Sequence, residues 1–451
     1  MEAGTQPLEA GTRPPIDESL LPPRPDLSRF MMMAGFMLWP TRFLDRCRER
    51  CGDYFTLRPE RDRLLIVTAD PAAVRQVFTG DPDVLYAGQG NVPLAPLLGP
   101  GSTLLLDGAE HLRHRRLLLP PFHGERMRKY GEVMAEAAER QIAAWPRGER
   151  FAVLPSMQAV TLEVIMRAVF GFEDAERRER IGDPLRRLLD TVASRPRVLA
   201  LALTVNRNGP RSPWARFARI RAEADALLYD EIRARRADPH GAEGEDILSL
   251  LLAARDEDGN PLTDSELRDE LMTLLVAGHE TTATALAWTL ERLVRTPRVL
   301  DRLLAEQREG GDEYLDAVIK ETLRLRPVVP AVARTLQAPI ELGGWELPAG
   351  VTVAPSIYLL HRRADLYPDP LAYRPERFLA DAPGTYEWIP FGGGVRRCLG
   401  ASFAMFEMKV VLTEALRAVR LRPERGSGEG VTRRAITFAP TRGARIAVEA
   451  A

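Results

Sequence analysis

The chain has 451 residues, of which 45% are hydrophobic and 28% are charged, a composition typical of a soluble globular protein rather than of a disordered, fibrous or disulfide-rich one. Its 62 basic and 63 acidic residues nearly cancel, which argues against nucleic acid as a partner. Its three cysteines cannot form a disulfide framework, and free cysteines suit a reducing compartment.

The amino-terminal region divides into two segments. Residues 1–28 are acidic and proline-rich, which predicts a flexible leader before a single domain at 29–451. They lack the basic and then apolar order of a signal peptide, so a cytoplasmic location is expected. The apolar segment 31–40 is shorter than the roughly 20 residues of a membrane span, so no transmembrane anchor is expected. We expect this segment to pack on the domain, with contact to a membrane surface as the alternative.

The periodicity of apolar residues predicts a mainly α protein with small β-sheets. From about residue 41 the pattern is helical, and between 71 and 326 it is mostly helical. A further helix is predicted at 399–420. Strands are predicted at 54–58, 64–68, 340–347 and 351–355, and a carboxy-terminal hairpin at 435–448.

A glycine-rich segment, Phe391-Gly-Gly-Gly-Val-Arg-Arg-Cys398-Leu-Gly400, precedes the last predicted helix. Consecutive glycines allow a loop to adopt positive φ angles and to approach another group closely. A cysteine at a helix start has its thiolate stabilised by exposed N–H groups, and Arg396 and Arg397 add charge that suits carboxylates. By itself such a cysteine would be read as an inert thiol, but the whole pattern suits a thiolate-ligated metal macrocycle.

The longest predicted helix begins after Thr263, which forms a capping box with Glu266, and ends before Pro297. Its middle, 271–278, is apolar on nearly all faces, which predicts burial. A polar segment then follows at 279–282, and burial of its carboxylate and two hydroxyls is costly unless they have partners or a chemical role. The Thr281 hydroxyl can donate to the carbonyl four residues earlier and bend the helix.

These two segments resemble the defining motifs of the cytochromes P450. Phe391, Gly394, Arg396, Cys398 and Gly400 match the haem-binding loop of that family at every defining position. Residues 277–281 match its alanine-glycine-any-acid-threonine oxygen-activation motif. The resemblance covers residues from about 30 to 451 and implies a cytochrome P450-like fold, in which a long central helix lies over a buried haem. It also implies haem b as the cofactor, with O2 and NAD(P)H-derived electrons as cosubstrates.

The resemblance further implies roles for individual residues. Cys398 is expected to be the metal ligand, with Glu280 and Thr281 as the catalytic proton-delivery pair, while His279 has no assigned role. The expected cofactor-binding residues are His111, Arg115, Arg334, Phe391, Arg396, Cys398 and Gly400. The expected structural charge network consists of Glu321, Arg324 and Arg377.

The segments that contact substrate in this family are mostly apolar in this chain. An apolar small molecule such as a fatty acid, a terpenoid or a polyketide is therefore expected. The candidate pocket residues are Ala277, Val328, Val329, Val332 and Phe438. The charged segment 174–220 is predicted to act as a lid over this pocket.

The expected activity is that of a haem-thiolate monooxygenase of secondary metabolism, which hydroxylates or epoxidises its substrate. A ferredoxin or flavodoxin with its reductase is expected to supply electrons to a monomeric enzyme. One alternative is a peroxygenase that uses H2O2, against which the Glu280–Thr281 pair argues. Another is a non-enzymatic haem gas sensor, which would normally carry a separate output module.

Overall fold

A computed structural model describes residues 16–60, 63–122, 126–172, 174–193, 211–380, 382–424 and 427–449, together with residues 197, 200, 201 and 209. Helices form most of this structure. Those of at least seven residues are α1 (Arg29–Leu38), α2 (Pro40–Cys51), α3 (Pro71–Thr79), α4 (Gly108–Leu118), α5 (Arg126–Ala143), α6 (Leu154–Phe170), α7 (Ala175–Ala193), α8 (Pro213–Ala237), α9 (Ile247–Ala253), α10 (Asp264–Arg295), α11 (Pro297–Arg308), α12 (Glu313–Leu325) and α13 (Ala401–Ala418).

The strands are short and lie mainly at the two ends of the chain, as predicted. They are β1 (Tyr54–Glu60), β2 (Arg63–Thr68), β3 (Leu85–Tyr86), β4 (Arg150–Ala152), β5 (Arg334–Leu336), β6 (Ile340–Leu342), β7 (Trp345–Leu347), β8 (Thr352–Pro355), β9 (Val431–Arg434), β10 (Thr437–Pro440) and β11 (Arg445–Ala447). The largest sheet has the order β1-β2-β8-β5-β3, in which only the β2–β8 pair is parallel. This sheet brings Arg334, on β5, beside strands from the start of the chain.

The prediction of a hairpin within residues 435–448 was wrong. β10 pairs with β9, through a turn in which Ala435 has a φ of 49°, and β11 pairs with β4 instead. Pro440 lacks an N–H to extend the ladder, and Gly443, with a φ of 75°, turns the chain away from β10. Tertiary pairing with the distant β4 therefore replaces the local hairpin.

Part of the predicted leader is packed rather than free. The carbonyl oxygens of Pro22 and Pro23 accept hydrogen bonds from Thr56 on β1, at 2.6 and 2.9 Å, and Leu21 is buried. Glu18 forms an ion pair with Arg58, also on β1. Residues 18–23 of the predicted leader therefore contact β1, and residues 1–15 lie outside the described residues.

The central helix α10 is capped as predicted, with the Thr263 hydroxyl and the Glu266 carboxylate bonding to each other's backbone N–H. It runs without interruption to Arg295 and packs against α6, α12 and α13. At Gly278 an added Cβ would lie 3.1 Å from the Ile165 side chain of α6, so glycine permits this close packing. In the part of the chain that the structure describes, no helix has the length and hydrophobicity needed to cross a bilayer.

Candidate active site

The glycine-rich loop before α13 is shaped by tight contact with α3. Gly392 and Gly394 have φ angles of 67° and 63°, which favour glycine. A Cβ on Gly394 would overlap the backbone carbonyl oxygen of Phe78, and one on Gly393 would overlap the Phe78 ring. The loop then returns on itself, because the Cys398 N–H donates to the Phe391 carbonyl oxygen at 2.9 Å. These contacts fix the position of Cys398 relative to the rest of the fold.

Cys398 lies just before α13 rather than in its first turn. The helix begins at Ala401, with Gly400 as the N-cap, two residues later than predicted. Cys398 is exposed, and its sulfur accepts a hydrogen bond from the Gly400 backbone N–H. Although the side chain has accessible surface, the surrounding protein removes part of the water from around the sulfur and so raises the pKa of the thiol, while this N–H and the charge of Arg115 oppose the rise. The sulfur thus has a fixed donor that favours the thiolate, as a metal ligand requires.

Four basic residues converge beside this loop from three separate elements. His111 and Arg115 lie on α4, Arg334 lies on β5 and Arg396 lies on the loop itself. We call them the basic cluster. Burial, together with the charges of the three arginines, lowers the pKa of His111 to about 3, so its imidazole is neutral. Burial and the nearby charge of Arg396 lower the pKa of Arg334 to about 10.

The basic cluster has one acidic partner among the described residues. Arg396 donates to Asp107 at 2.6 Å and also to the carbonyl oxygens of Thr103 and Leu106. Arg334 donates to the carbonyl oxygen of its neighbour Ala333, and no ion pair joins it or Arg115 to a described residue. Buried cations without counter-ions are costly. The cluster therefore fits a ligand that brings carboxylates, as the two propionates of haem do.

The central helix α10 has a short accessible face in an otherwise buried length. Ala277 is exposed and Thr281 is half-buried, whereas most residues from Leu267 to Leu275 and from Thr282 to Val294 are buried. Ala277 and Thr281 are four residues apart and share one side of the helix. The Thr281 hydroxyl donates to the Ala277 carbonyl oxygen at 2.6 Å, the bond predicted from the sequence. A hydroxyl is thus presented at an open position beside small side chains.

Glu280 lies on a different side of α10 and is held by two residues. Its carboxylate accepts a hydrogen bond from Gln158 on α6 at 2.6 Å and lies 3.1 Å from the Arg434 guanidinium on β9. Burial raises its pKa, and the charge of Arg434 and the Gln158 amide partly offset that rise. Glu280 lines a cavity of about 720 Å³ between α6, α7 and α10. Arg186 and Asp190 of α7 also line that cavity.

His279 has a packing role in this arrangement. It is 4% exposed, and its Nδ1 lies 3.0 Å from the hydroxyl oxygen of Thr161 on α6. Burial lowers its pKa to about 4, so the imidazole is neutral. His279 therefore joins α10 to α6 rather than serving the accessible face of the helix.

The structure brings Glu321, Arg324 and Arg377 together, and we call them the Glu321 network. Arg324 donates to both carboxylate oxygens of Glu321, at 2.6 and 2.9 Å, and Arg377 donates to one of them at 3.2 Å. Glu321 and Arg324 have no exposed side-chain surface. The remaining donors of Arg324 reach the carbonyl oxygens of His361, Pro370 and Ala372.

The five candidate pocket residues divide into two groups. Val329 and Val332 are half-buried and Ala277 is exposed, so all three have surface available to a ligand. Val328 and Phe438 are buried, and the Phe438 N–H donates to the Val328 carbonyl oxygen at 2.7 Å. The Phe438 ring packs edge-on against Tyr358, with 5.9 Å between ring centroids. These last two belong to the core beside the pocket. The predicted lid at 174–220 is only partly within the described residues.

Sequence reasoning missed three residues that hold the site. Asp107 precedes α4, and its two carboxylate oxygens accept from the N–H groups of Gly88 and Gln89 as well as from Arg396. An aspartate directly before a helix is a recognisable N-cap signal, so the sequence could have identified Asp107 as a structural residue. Gln158 and Arg434 are more than a hundred residues from Glu280 in the chain, and no local pattern connects them.

Comparisons with known proteins agree with this site. The family model for cytochrome P450 matches residues 22–442. A Mycobacterium tuberculosis protein named cytochrome P450 135B1 is 46% identical over 436 residues, which cover 95% of this chain and 92% of that protein. Another, named cytochrome P450 138, is 40% identical over 441 residues, which cover 97% and 98%.

Solved structures show the same relationship. Cyanobacterial CYP120A1 with bound retinoic acid superposes with a TM-score of 0.82 at 27% identity, over 96% of this chain and 99% of that one. The haem domain of cytochrome P450DA gives a TM-score of 0.81 at 26% identity, over 95% and 97%. The mainly α fold, a haem b cofactor and the use of O2 with NAD(P)H-derived electrons are those of this family. The chain belongs to the cytochrome P450 family and is a monooxygenase.

Proposed function

We propose that this P450 inserts one oxygen atom of O2 into a C–H bond or across a C=C bond of an apolar small molecule. The observation that carries this proposal is that Ala277, Val329 and Val332, in segments expected to meet the substrate, each keep accessible aliphatic surface. Such surfaces favour apolar ligands. Fatty acids, terpenoids and polyketides fit it, and CYP120A1 binds retinoic acid, an apolar terpenoid acid. A role in secondary metabolism is in keeping with these substrate classes.

Different residues of the chain have different roles in this reaction. Haem b, held through the Cys398 sulfur, supplies the oxygen-activating chemistry of the family. The basic residues that bind its propionates are His111, Arg115 and Arg334. Arg396 contributes further positive charge and, through its bond to Asp107, holds the segment before α4. Phe391 and Gly400 flank the sulfur. Thr281 presents its hydroxyl on the accessible face of α10, and Glu280 passes protons from the cavity beside α6. Glu280 and Thr281 are adjacent residues of α10, which suits the short path that proton transfer needs.

We further propose a monomeric cytoplasmic enzyme that receives electrons from a ferredoxin or flavodoxin and its reductase. The accessible Arg397, beside Cys398 in the loop, offers positive charge to an acidic electron carrier. Arg396 is held by Asp107 and contributes less to such a surface.

A ligand screen tests the substrate class. The oxidised holoprotein is titrated with fatty acids, terpenes and macrolides, and the low-spin to high-spin change of its absorbance is followed. At least one apolar compound should produce this change and be oxidised when O2, NAD(P)H, ferredoxin and reductase are supplied. A response confined to polar compounds, or turnover with H2O2 alone, would contradict the proposal.

Cys398→Ser tests the metal ligand. The reduced wild-type protein with CO should show the strongly red-shifted Soret band of thiolate ligation, and the variant should lose both this band and all oxygenase activity. Cys51→Ser, at a half-buried cysteine on α2, is the matched control and should keep both. Retained turnover in Cys398→Ser would remove this residue from the role of ligand.

Thr281→Ala tests the proton path. We expect the oxidised product formed per NAD(P)H to fall about a hundredfold, the low end of general acid–base effects, with H2O2 released in its place. Thr289→Ala is the matched control, because Thr289 makes the same bond to a carbonyl four residues earlier but is buried. Equal coupling of NAD(P)H to product in the two variants would exclude Thr281 from the mechanism.

A further inference from the structure

Helix α1 is apolar on both of its faces. Its ten residues, Arg29–Leu38, include one polar side chain, Arg29. On the inner face Met32 is buried in a core cluster, and the Phe36 ring packs edge-on against Phe43 of α2 with 6.1 Å between centroids. A helix that is hydrophobic all round is normally buried on all sides. The outer face of α1 therefore lacks the polar residues that water would favour.

A further exposed apolar side chain lies on a turn next to α1. Arg433 on β9 lies with its guanidinium 4.7 Å from the Phe36 ring centroid, so the β9–β10 turn adjoins α1. That turn exposes Ile436. We call these exposed side chains the apolar patch: Phe30 (81% exposed), Met31 (55%), Met33 (54%), Leu38 (50%), Trp39 (57%) and Ile436 (44%). Single exposed hydrophobic residues are ordinary, but a group of six around one helix marks an interaction surface.

Positive charge borders the apolar patch. Arg29 begins α1, and Arg42, Arg46 and Arg50 recur every four residues along the exposed side of α2. None of these four arginines forms an ion pair with a residue that the structure describes. Asp26, just before α1, and Glu49 on α2 are exposed acidic residues, so four arginines against two carboxylates leave a net positive charge beside the patch. The surface complements an anionic partner that is also apolar.

We propose that the apolar patch docks this P450 on the surface of an anionic lipid bilayer, with α1 lying in the interface. Apolar side chains with a tryptophan on one face and arginines beside them are the features of an interfacial helix. Anionic headgroups supply the counter-charge that the four arginines lack. A ten-residue helix is too short to span the bilayer, so the association is peripheral.

The same charges argue against a second copy of the chain as the occupant. A twofold dimer through the apolar patch would place the four arginines of one copy near those of the other. Like charges across an interface oppose association. A bilayer surface with negative headgroups does not present this conflict.

Flotation of the holoprotein with lipid vesicles tests the proposal. We expect wild-type protein to float with phosphatidylglycerol–phosphatidylcholine vesicles, less with pure phosphatidylcholine, and less again at high salt. Combined Phe30→Ser, Met33→Ser and Leu38→Ser should weaken binding at least tenfold, because the variant loses the apolar surface that would move from water into the bilayer. Leu371→Ser, at a side chain that is 72% exposed elsewhere, is the matched control and should bind like wild type.

A charge variant and a quenching measurement sharpen the test. Combined Arg42→Glu, Arg46→Glu and Arg50→Glu should abolish the preference for phosphatidylglycerol while the CO spectrum of the holoprotein stays normal. Brominated lipids should quench wild-type tryptophan fluorescence more than that of Trp39→Phe. The proposal fails if wild-type protein does not float, or if the serine variant floats equally well. It also fails if lipid-free protein forms a dimer that the serine variant abolishes, because the patch would then bind a second copy.

Discussion

Two buried groups of charges in this P450 differ in how their charges are satisfied. In the Glu321 network, the carboxylate accepts from two arginines, and Arg324 also bonds to three backbone carbonyl oxygens. In the basic cluster, Asp107 is the one described carboxylate, and it pairs with Arg396 while Arg115 and Arg334 have none. The first group is complete within the protein, and the second is complete only with an anionic ligand.

This difference separates a structural role from a binding role. Both groups contain arginines matched to family motifs, so residue type does not distinguish them. What distinguishes them is whether the protein itself supplies the acceptors for the buried donors. We expect a substitution in the Glu321 network to change folding stability, and one in the basic cluster to change retention of haem.

Glu321→Gln should have the largest effect. It leaves Arg324, which has no exposed side-chain surface, without its carboxylate. Removal of one partner from a buried pair typically costs about 3–5 kcal/mol of unfolding free energy, which denaturant titration of the holoprotein measures. Arg298→Gln breaks the exposed ion pair with Glu376 and should cost about 1 kcal/mol or less. Similar losses for the two variants would contradict the structural role of the network.

Acid should weaken the Glu321 network through His361. This histidine has no exposed surface, accepts the Ile389 N–H at 2.9 Å, and has its pKa lowered to about 3 by burial and the charge of Arg324. Because the unfolded chain binds this proton more readily, stability falls as the pH drops from about 6.5 toward 3. At pH 5 the loss attributable to His361 is about 2 kcal/mol relative to pH 8.

A pair of histidine variants measures this contribution. The unfolding free energy of His361→Gln should fall less between pH 8 and pH 5 than that of wild type. His240→Gln, at an exposed position on the surface, is the control and should retain the wild-type pH slope. A slope for His361→Gln equal to that of wild type would show that protonation of His361 does not limit stability.

Arg334→Gln should give the smallest of the three effects in free energy. Its effect is measured as the rate of haem loss rather than as unfolding free energy. Loss of a charged donor to a propionate is expected to accelerate transfer of haem to a scavenging globin about tenfold, or about 1.4 kcal/mol. Arg326→Gln is the matched control, because Arg326 is also largely buried over an aromatic ring, that of Trp288, and has its pKa lowered to about 10. Equal haem loss from both variants would mean that burial of an arginine, rather than membership of the basic cluster, retains the cofactor.

The sequence predicted most of the features that depend on neighbouring residues. The capping box at Thr263, the strands near 54–68 and the bond from Thr281 to Ala277 all arise within a few residues, and each is present. It was less successful where distant segments compete. The predicted carboxy-terminal hairpin was wrong because β11 pairs with β4. Local composition also did not reveal that Thr56 on β1 donates hydrogen bonds to the carbonyl oxygens of Pro22 and Pro23 in the predicted leader.

The family, its cofactor and its reaction class followed from two short motifs that resemble those of the cytochromes P450, because each motif is a run of neighbouring residues that the sequence shows directly. The tertiary structure alone decided which residues surround those motifs. It brought Gln158 and Arg434 to Glu280, paired Asp107 with Arg396 and buried Phe438 in the core. It also left one face of α1 exposed among the residues that the structure describes. Charge balance and burial are sums over segments far apart in the chain, and no local pattern of residues contains them.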